Sequence, residues 1–286
     1  MTDSLYMFQS EQEAAKAMLL EVTQILNRKT IDYAVVGGWV PYLFNCSPVA
    51  HPGTFDVDIV LNTALNKDDV ILALDSMIND FGYMRAPKNA FQVYRAIPVL
   101  GETMIFHVDF LHRKYADDTG DLTRSWGRYQ SITAPGTDVI FTHQQTQSHL
   151  VEALGMDGNS LKSDVTFASE AAFLSTKGRS VGFGKRERDA FDIYLIITQS
   201  QDLEKLVRAA TALMLNGVFC ASMLRMYKEF TADSSAVQMS VKFLCGASEA
   251  YRGKPTEAAA EISSRVRDFI RKIDDQGQVD ELEDEC

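Results

Sequence analysis

The sequence predicts a mixed α/β protein of the α+β class. A first half, residues 1–145, holds a small mixed or antiparallel sheet with helices; residues 146–273 are an all-helical domain; residues 274–286 are an acidic, disordered tail. Two observations predict this. Before residue 145, short apolar runs rich in Val, Ile and Phe alternate with segments whose apolar residues recur every three or four positions. From about Gln147 onward only the helical period remains. No internal repeat is present.

The elements follow in order. Ser10–Arg28 reads as a helix, with Ala14, Met18, Val22 and Ile25 at i, i+4, i+8 and i+11 and Ser10 or Glu11 at its start. Ile31–Val36 is a short apolar strand that ends at Gly37-Gly38. Trp39–Phe44 turns into a helix, with Pro41 tolerated in its first turn. Asn45–Gly53 (NCSPVAHPG) reads as a loop. Phe55–Leu61 is a strand, and Lys67–Phe81 is an amphipathic helix with Val70, Leu74, Met77 and Ile78 on one side. Phe91–Ala96 and Met104–Leu111 form an antiparallel pair around the turn PVLGE. Ser131–Ala134 and Val139–Thr142 are expected as strands flanking APGTD, while the polar stretch Arg113–Arg128 carries no clear period. Helices are expected at Phe167–Thr176, Arg186–Gln199, Leu203–Asn216 and Val218–Phe230, with more to about Ile273; the three glycines of Lys177–Lys185 (KGRSVGFGK) predict a loop.

Composition narrows the function classes. No apolar run approaches a membrane span, and the N-terminus lacks the basic and apolar regions of a secretory signal, so neither a membrane partner nor secretion is expected. Cys46, Cys220, Cys245 and Cys286 form no C-x-x-C pair, which suits reduced thiols in the cytoplasm. The net charge of −11 argues against a general nucleic-acid binder. Seven acids and no base lie in Asp274–Cys286, a run that reads as solvated.

Chemistry concentrates around TFDVDIVL (Thr54–Leu61). Asp56 and Asp58 lie at i and i+2, on one face of a strand, where two carboxylates repel each other. Strand stability does not ask for this; a divalent cation explains it, since Mg²⁺ or Mn²⁺ takes oxygen ligands and shares its shell with phosphates. Gly37 and Gly38, between a strand and a helix, allow backbone N–H groups close to a phosphate. Asp109 is a lone acid in the apolar strand MIFHVDFL and is a candidate third metal ligand that assists deprotonation of an attacking hydroxyl. His107 shares its strand face and reads as a packed strand histidine or a partner of the metal ligands. Trp39 and Tyr42 read as core of the first short helix, with lining of a base pocket the other reading for Tyr42. Lys185, Arg188, Asp189 and Asp192 fall at i, i+3, i+4 and i+7; because base precedes acid, the less favourable order for a helix ion pair, they read as a charge relay lining a cleft. Lys177 before Gly178 also suits the negative end of a helix.

These residues carry a resemblance. GGWVPYLF…TFDVDIVL resembles the signature of the nucleotidyltransferase, or polymerase-beta-like, superfamily, and ASEAAFLSTKGRSVGFGKRERDAFDIYLII (Ala168–Ile197) resembles the second signature of its AbiEii/MenT group, which includes toxins of type IV toxin–antitoxin systems. Together they span roughly residues 30–200. The resemblance implies a nucleotidyltransferase-type core whose cleft is completed by the helical half. It implies an enzyme that moves a nucleoside monophosphate from an NTP to an acceptor hydroxyl, with a tRNA 3′ end or other RNA as acceptor and a cognate antitoxin as partner. By position, Asp56, Asp58 and Asp109 would hold metal, and Gly37 and Gly38 would cradle phosphate. Lys177 would contact the triphosphate alongside Arg179, Lys185 and Arg188, and Asp189 would be the acid of the helical half. The chain departs from the pattern at Gly38, where a serine often stands, and at His51-Pro-Gly53, where many relatives place an arginine. Two rival readings remain: a small-molecule, antibiotic-modifying nucleotidyltransferase, and a catalytically retired binding module on the same scaffold.

Overall fold

The computed structural model describes residues 6–44, 51–62, 64, 66–113, 123–182, 188–275 and 277. The acidic tail (apart from 274, 275 and 277), Cys46, Cys286, Lys185 and Arg186 lie outside the described residues. The chain forms two compact units, Met1–Trp39 with Gly53–Phe141 and Thr146–Ala168, and Val40–Pro52 with Thr142–Gln145 and Ser169–Cys286.

The first unit begins with α1 (Glu11–Arg28), capped by Ser10, whose hydroxyl accepts from Glu13 N–H at 3.2 Å. Then come β1 (Tyr33–Val36), the short α2 (Trp39–Phe44) leading out of the unit, β2 (Val57–Leu61) and α3 (Lys67–Asp80). The strands β3 (Met84–Arg85), β4 (Gln92–Val99), β5 (Glu102–His112), β6 (Thr123–Trp126) and β7 (Tyr129–Thr133) follow, then α4 (Asp138–Thr142), β8 (Thr146–Leu154) and β9 (Ser160–Ala168). The strands make one mixed sheet in the order β3-β4-β5-β2-β1-β9-β8, with β7 on β5 and β6 on β7. The β2–β5, β1–β9 and β5–β7 pairs are parallel; the others are antiparallel.

One face of this sheet is covered. Helix α1 packs on β2, β4, β8 and β9 and against α3, and it buries Ala14, Met18, Val22 and Ile25, the residues that its period singled out. Strand β5 presents Phe106, Val108 and Phe110 to the core, while Ile105, His107, Asp109 and Leu111 point to the more open face. The β4–β5 hairpin turns at Leu100-Gly101, both at positive φ (50° and 87°), the backbone twist that a two-residue hairpin turn needs.

The second unit is helical. It holds α5 (Glu170–Ser180), α6 (Asp189–Gln199), α7 (Leu203–Leu213), α8 (Gly217–Glu229), α9 (Ser235–Ala247) and α10 (Pro255–Ile273). Helix α6 is its centre. Phe191 stacks on Phe243 of α9 at 5.8 Å, and the Ser240 hydroxyl accepts from Phe191 N–H at 3.2 Å. Among the described residues no single helix is long and apolar enough to cross a membrane.

Several expectations are corrected. The change to all-helical structure comes after Ala168, because 146–168 is a β-hairpin. Its outer face mixes exposed polar residues with exposed Leu150 and buried Ala168, which hides the period of two. Val139–Thr142 is part of α4, not a strand. Strand β2 starts at Val57, so Asp56 stands just before it. Of the glycine-rich loop expected from Lys177, the residues Lys177, Gly178, Arg179 and Ser180 belong to α5, and 183–187 lie outside the described residues. Gly178 is there for packing: a Cβ would come within 2.8 Å of Ser222 O on α8.

Candidate functional site

In the first unit the carboxylates gather on the open face of the sheet. Parallel pairing sets Asp58 directly beside Asp109, and antiparallel pairing sets Gln92 beside Asp109 on its other side. Asp56, just before β2, stands close enough for its charge to act on Asp109. Gln92 Nε2 donates to Asp109 Oδ1 at 2.6 Å, leaving Oδ2 without that bond. Burial pushes the Asp109 carboxyl above the usual carboxylate range and the charge of Asp56 adds to this, while the Gln92 bond opposes it. The Trp39 indole N–H donates to Asp56 O at 2.9 Å, fixing the chain where it enters β2. Trp39 is fully buried, so the expected core role holds and this bond is added to it.

Gly37 closes the other side. It follows β1 at φ 71°, and a Cβ there would overlap Asp58 Oδ2. Both facts require glycine: the left-handed backbone and the close approach of the carboxylate. Gly38 is buried and has no positive φ, so only Gly37 uses glycine's freedom. Helix α2, with six residues, adds little dipole, so any anion here relies on the turn itself.

The donor set is carboxylate oxygen, which suits Mg²⁺ or Mn²⁺ and not a soft metal. Among the described residues no group of three or more His, Cys, Asp or Glu side chains is assembled to hold a metal ion. Asp58 and Asp109 are the adjacent pair, with Asp56 at the margin.

The second unit holds a different cluster. Lys177 Nζ donates to Asp189 Oδ1 at 2.6 Å and lies 3.5 Å from Asp192 Oδ2. The Ser180 hydroxyl donates to Asp189 Oδ2 at 3.0 Å. Arg188 Nε stands 3.3 Å and His51 Nε2 stands 3.2 Å from Asp192 Oδ1. The Asp192 side chain is fully buried and that of Lys177 is 13 % exposed. Burial alone would lower the Lys177 ammonium, but the charges of Asp192 and Asp189 outweigh it and hold it above its ordinary value. Burial alone would raise Asp192; Lys177, His51 and Arg188 together pull it below the carboxylate range. His51 is lowered, chiefly by burial. The arrangement is a compact ion-pair network in which Arg188 and Asp192 pair despite their unfavourable order, where the sequence suggested a relay. Burial decides this: the helix-surface rule concerns solvated pairs, and Asp192 is out of water. Arg179 is exposed.

Sequence reasoning missed Gln92, Ser180 and the role of His51. Gln92 was findable, because a two-residue turn at Leu100-Gly101 fixes the β4–β5 register and places 92 opposite 109. Nothing local marks His51, whose partner lies 141 positions later.

Comparison with known proteins gives fold-level likeness only. No family model matches the chain, and no curated protein matches it. Among solved structures, it resembles an antigenic nucleotidyltransferase-like protein from Paracoccidioides brasiliensis, at 16% identity and a TM-score of 0.38, over 75% of this chain and 93% of that one. It also resembles JHP933 from Helicobacter pylori, at 12% identity and a TM-score of 0.44, over 96% of this chain and 99% of that one.

Proposed function

We propose that the chain is a Mg²⁺-dependent nucleotidyltransferase that moves a nucleoside monophosphate from an NTP to an acceptor hydroxyl. The observation that carries this reading is the carboxylate face: Asp58 and Asp109 in register on adjacent strands, Asp56 beside them and Gly37 packed against Asp58. Asp58 and Asp109 would hold the metal, with Asp56. When bound, it would neutralise phosphate charge and orient the transferring group. The chain's own residues account for the remaining tasks. The Gly37-Gly38 turn gives backbone donors close approach to the phosphates. Asp109, with Oδ1 held by Gln92, takes the proton of the acceptor hydroxyl at Oδ2. The acceptor oxygen bonds to the α-phosphorus, the bond to the β-phosphate oxygen breaks, and pyrophosphate leaves with the electron pair. Lys177, Arg179, Lys185 and Arg188 are the cations that the resemblance assigns to the triphosphate, and Asp189 is the acid that sets Lys177.

The finer reading is a cytoplasmic toxin of the type IV toxin–antitoxin kind, acting on a tRNA 3′ end and restrained by an antitoxin. It rests on the resemblance of Ala168–Ile197. The test is incubation with radiolabelled NTPs, Mg²⁺ and total RNA, comparing wild type with Asp58→Asn. Label enters RNA with wild type and falls at least a hundredfold with the variant. Absence of transfer by folded wild type to RNA or to small-molecule acceptors overturns the reading.

A further inference from the structure

The open face carries a second row of side chains beside the carboxylates. Cross-strand pairing places Met84 opposite Tyr94 and Tyr94 opposite His107. The β2–β5 ladder begins at Val57 beside Val108, so the chain at Asp56 enters β2 next to His107. The row thus runs Met84, Tyr94, His107, parallel to the row Gln92, Asp109, Asp58 and two residues along the strands from it, roughly 7 Å away. The Tyr94 and His107 rings are 6.1 Å apart and tilted by 53°. Both residues are half-buried, Met84 is 43 % exposed, and Ile105, at the next position of the same face, is 50 % exposed. His107 Nδ1 is buried and has no hydrogen-bond partner among the described residues. That nitrogen is able to meet a polar edge brought by a ligand.

We infer that this row is the acceptor subsite, and that it stacks the terminal base of a single-stranded RNA 3′ end. The inference rests on the nucleotidyltransferase reading and adds to it the residues that seat the acceptor's terminal base. Sheet order carries the assignment. Strand β1, with the Gly37 turn, borders the carboxylates on one side, while β4 and β3 lie on the other. In-line transfer sets the nucleophile and the leaving pyrophosphate on opposite sides of the reacting phosphorus. With the triphosphate on the β1 side, the acceptor occupies the β4 side, where the aromatic row is. Tyrosine and histidine rings stack any base, methionine sulfur adapts to a ring edge, and His107 Nδ1 meets a polar atom of the base. Stacking of one terminal base needs no extended basic surface, which accords with a chain of net charge −11.

The test measures binding, apart from label transfer. A short 5′-fluorescein single-stranded RNA, and the same RNA with an abasic 3′-terminal nucleotide, are titrated with the full chain by fluorescence anisotropy without NTP. Wild type is expected to prefer the intact RNA roughly tenfold. Tyr94→Ala and His107→Ala each erase the preference, while Tyr94→Phe, which keeps the ring, retains it; circular dichroism confirms that the variants fold. Equal binding of the two RNAs by wild type, or a preference untouched by Tyr94→Ala, overturns the inference. A companion measurement compares thermal stabilisation by Mg-ATP and Mg-tripolyphosphate. An ATP-specific shift that Tyr94→Ala abolishes would assign the row to the donor base and also overturn it. Failure of label transfer with the RNA preference intact would count against the transferase reading alone.

Discussion

The Lys177 network makes the sharpest stability prediction. Lys177 and Arg188 supply two positive charges to the carboxylates of Asp189 and Asp192, with His51 held neutral by burial. Replacing Lys177 by Met keeps most of the side-chain volume and leaves one surplus negative charge beside a fully buried Asp192. Breaking a buried pair from one side typically costs about 3–5 kcal/mol. That is a large share of the stability of an ordinary domain, and for a chain of this size it corresponds to a fall in melting temperature of roughly 10 °C. Adding Asp189→Asn to Lys177→Met removes the surplus charge and should recover more than half of the loss. Thermal melts of wild type, each single variant and the double variant close the cycle. A loss for Lys177→Met below about 1 kcal/mol, or strictly additive single effects, would refute the claim that buried charge balance holds this part of the helical unit. The pH dependence has a definite sign. Asp192 is depressed, so its contribution is present above the ordinary carboxylate range and disappears as pH falls through its folded value. Lys177 is raised, so its contribution is complete below the ordinary lysine value and disappears only as pH rises beyond it.

Two further outcomes are expected. Gly37→Ala forces a Cβ onto Asp58 Oδ2 at φ 71°, so it should destabilise the chain by about 1–3 kcal/mol and lower nucleotide transfer more than ten-fold, read by melts and label transfer; a fully active, stable variant would show that the close approach is unimportant. His51 is depressed by burial, so an unfolded chain takes up its proton at about pH 6.5 before the folded chain does, and stability falls as pH drops from there. Melting temperature between about pH 7.5 and 5.5 should therefore fall less steeply for His51→Asn than for wild type, and identical slopes would rule this out.

The legible parts of the chain were those whose information is local. The period of α1, its Ser10 cap, the strand–Gly-Gly–helix order and the odd pair of acids in TFDVDIVL all lie within short stretches, and each corresponds to what the chain forms. The hairpin 146–168 was not legible, because one face fully buries only Val151, Val165 and Phe167 while the other mixes exposed polar residues with exposed Leu150 and buried Ala168. A period of two with so few apolar points is easily lost beside the helices that follow.

By itself the sequence determined that two acids stand at i and i+2 where the chain enters an apolar strand, Asp58 within β2 and Asp56 just before it. It also set Gly37-Gly38 between a strand and a helix, although the left-handed turn of Gly37 against Asp58 belongs to the structure. Only the tertiary structure decided which groups stand next to them. Sheet register set Asp109 beside Asp58, Gln92 on Asp109, and Tyr94 against His107. Burial joined Lys177, Asp189 and Asp192 in an ion-pair network with His51. Register and burial arise from contacts between residues far apart in the chain, and the strength of a charge pair depends on how much water those contacts exclude.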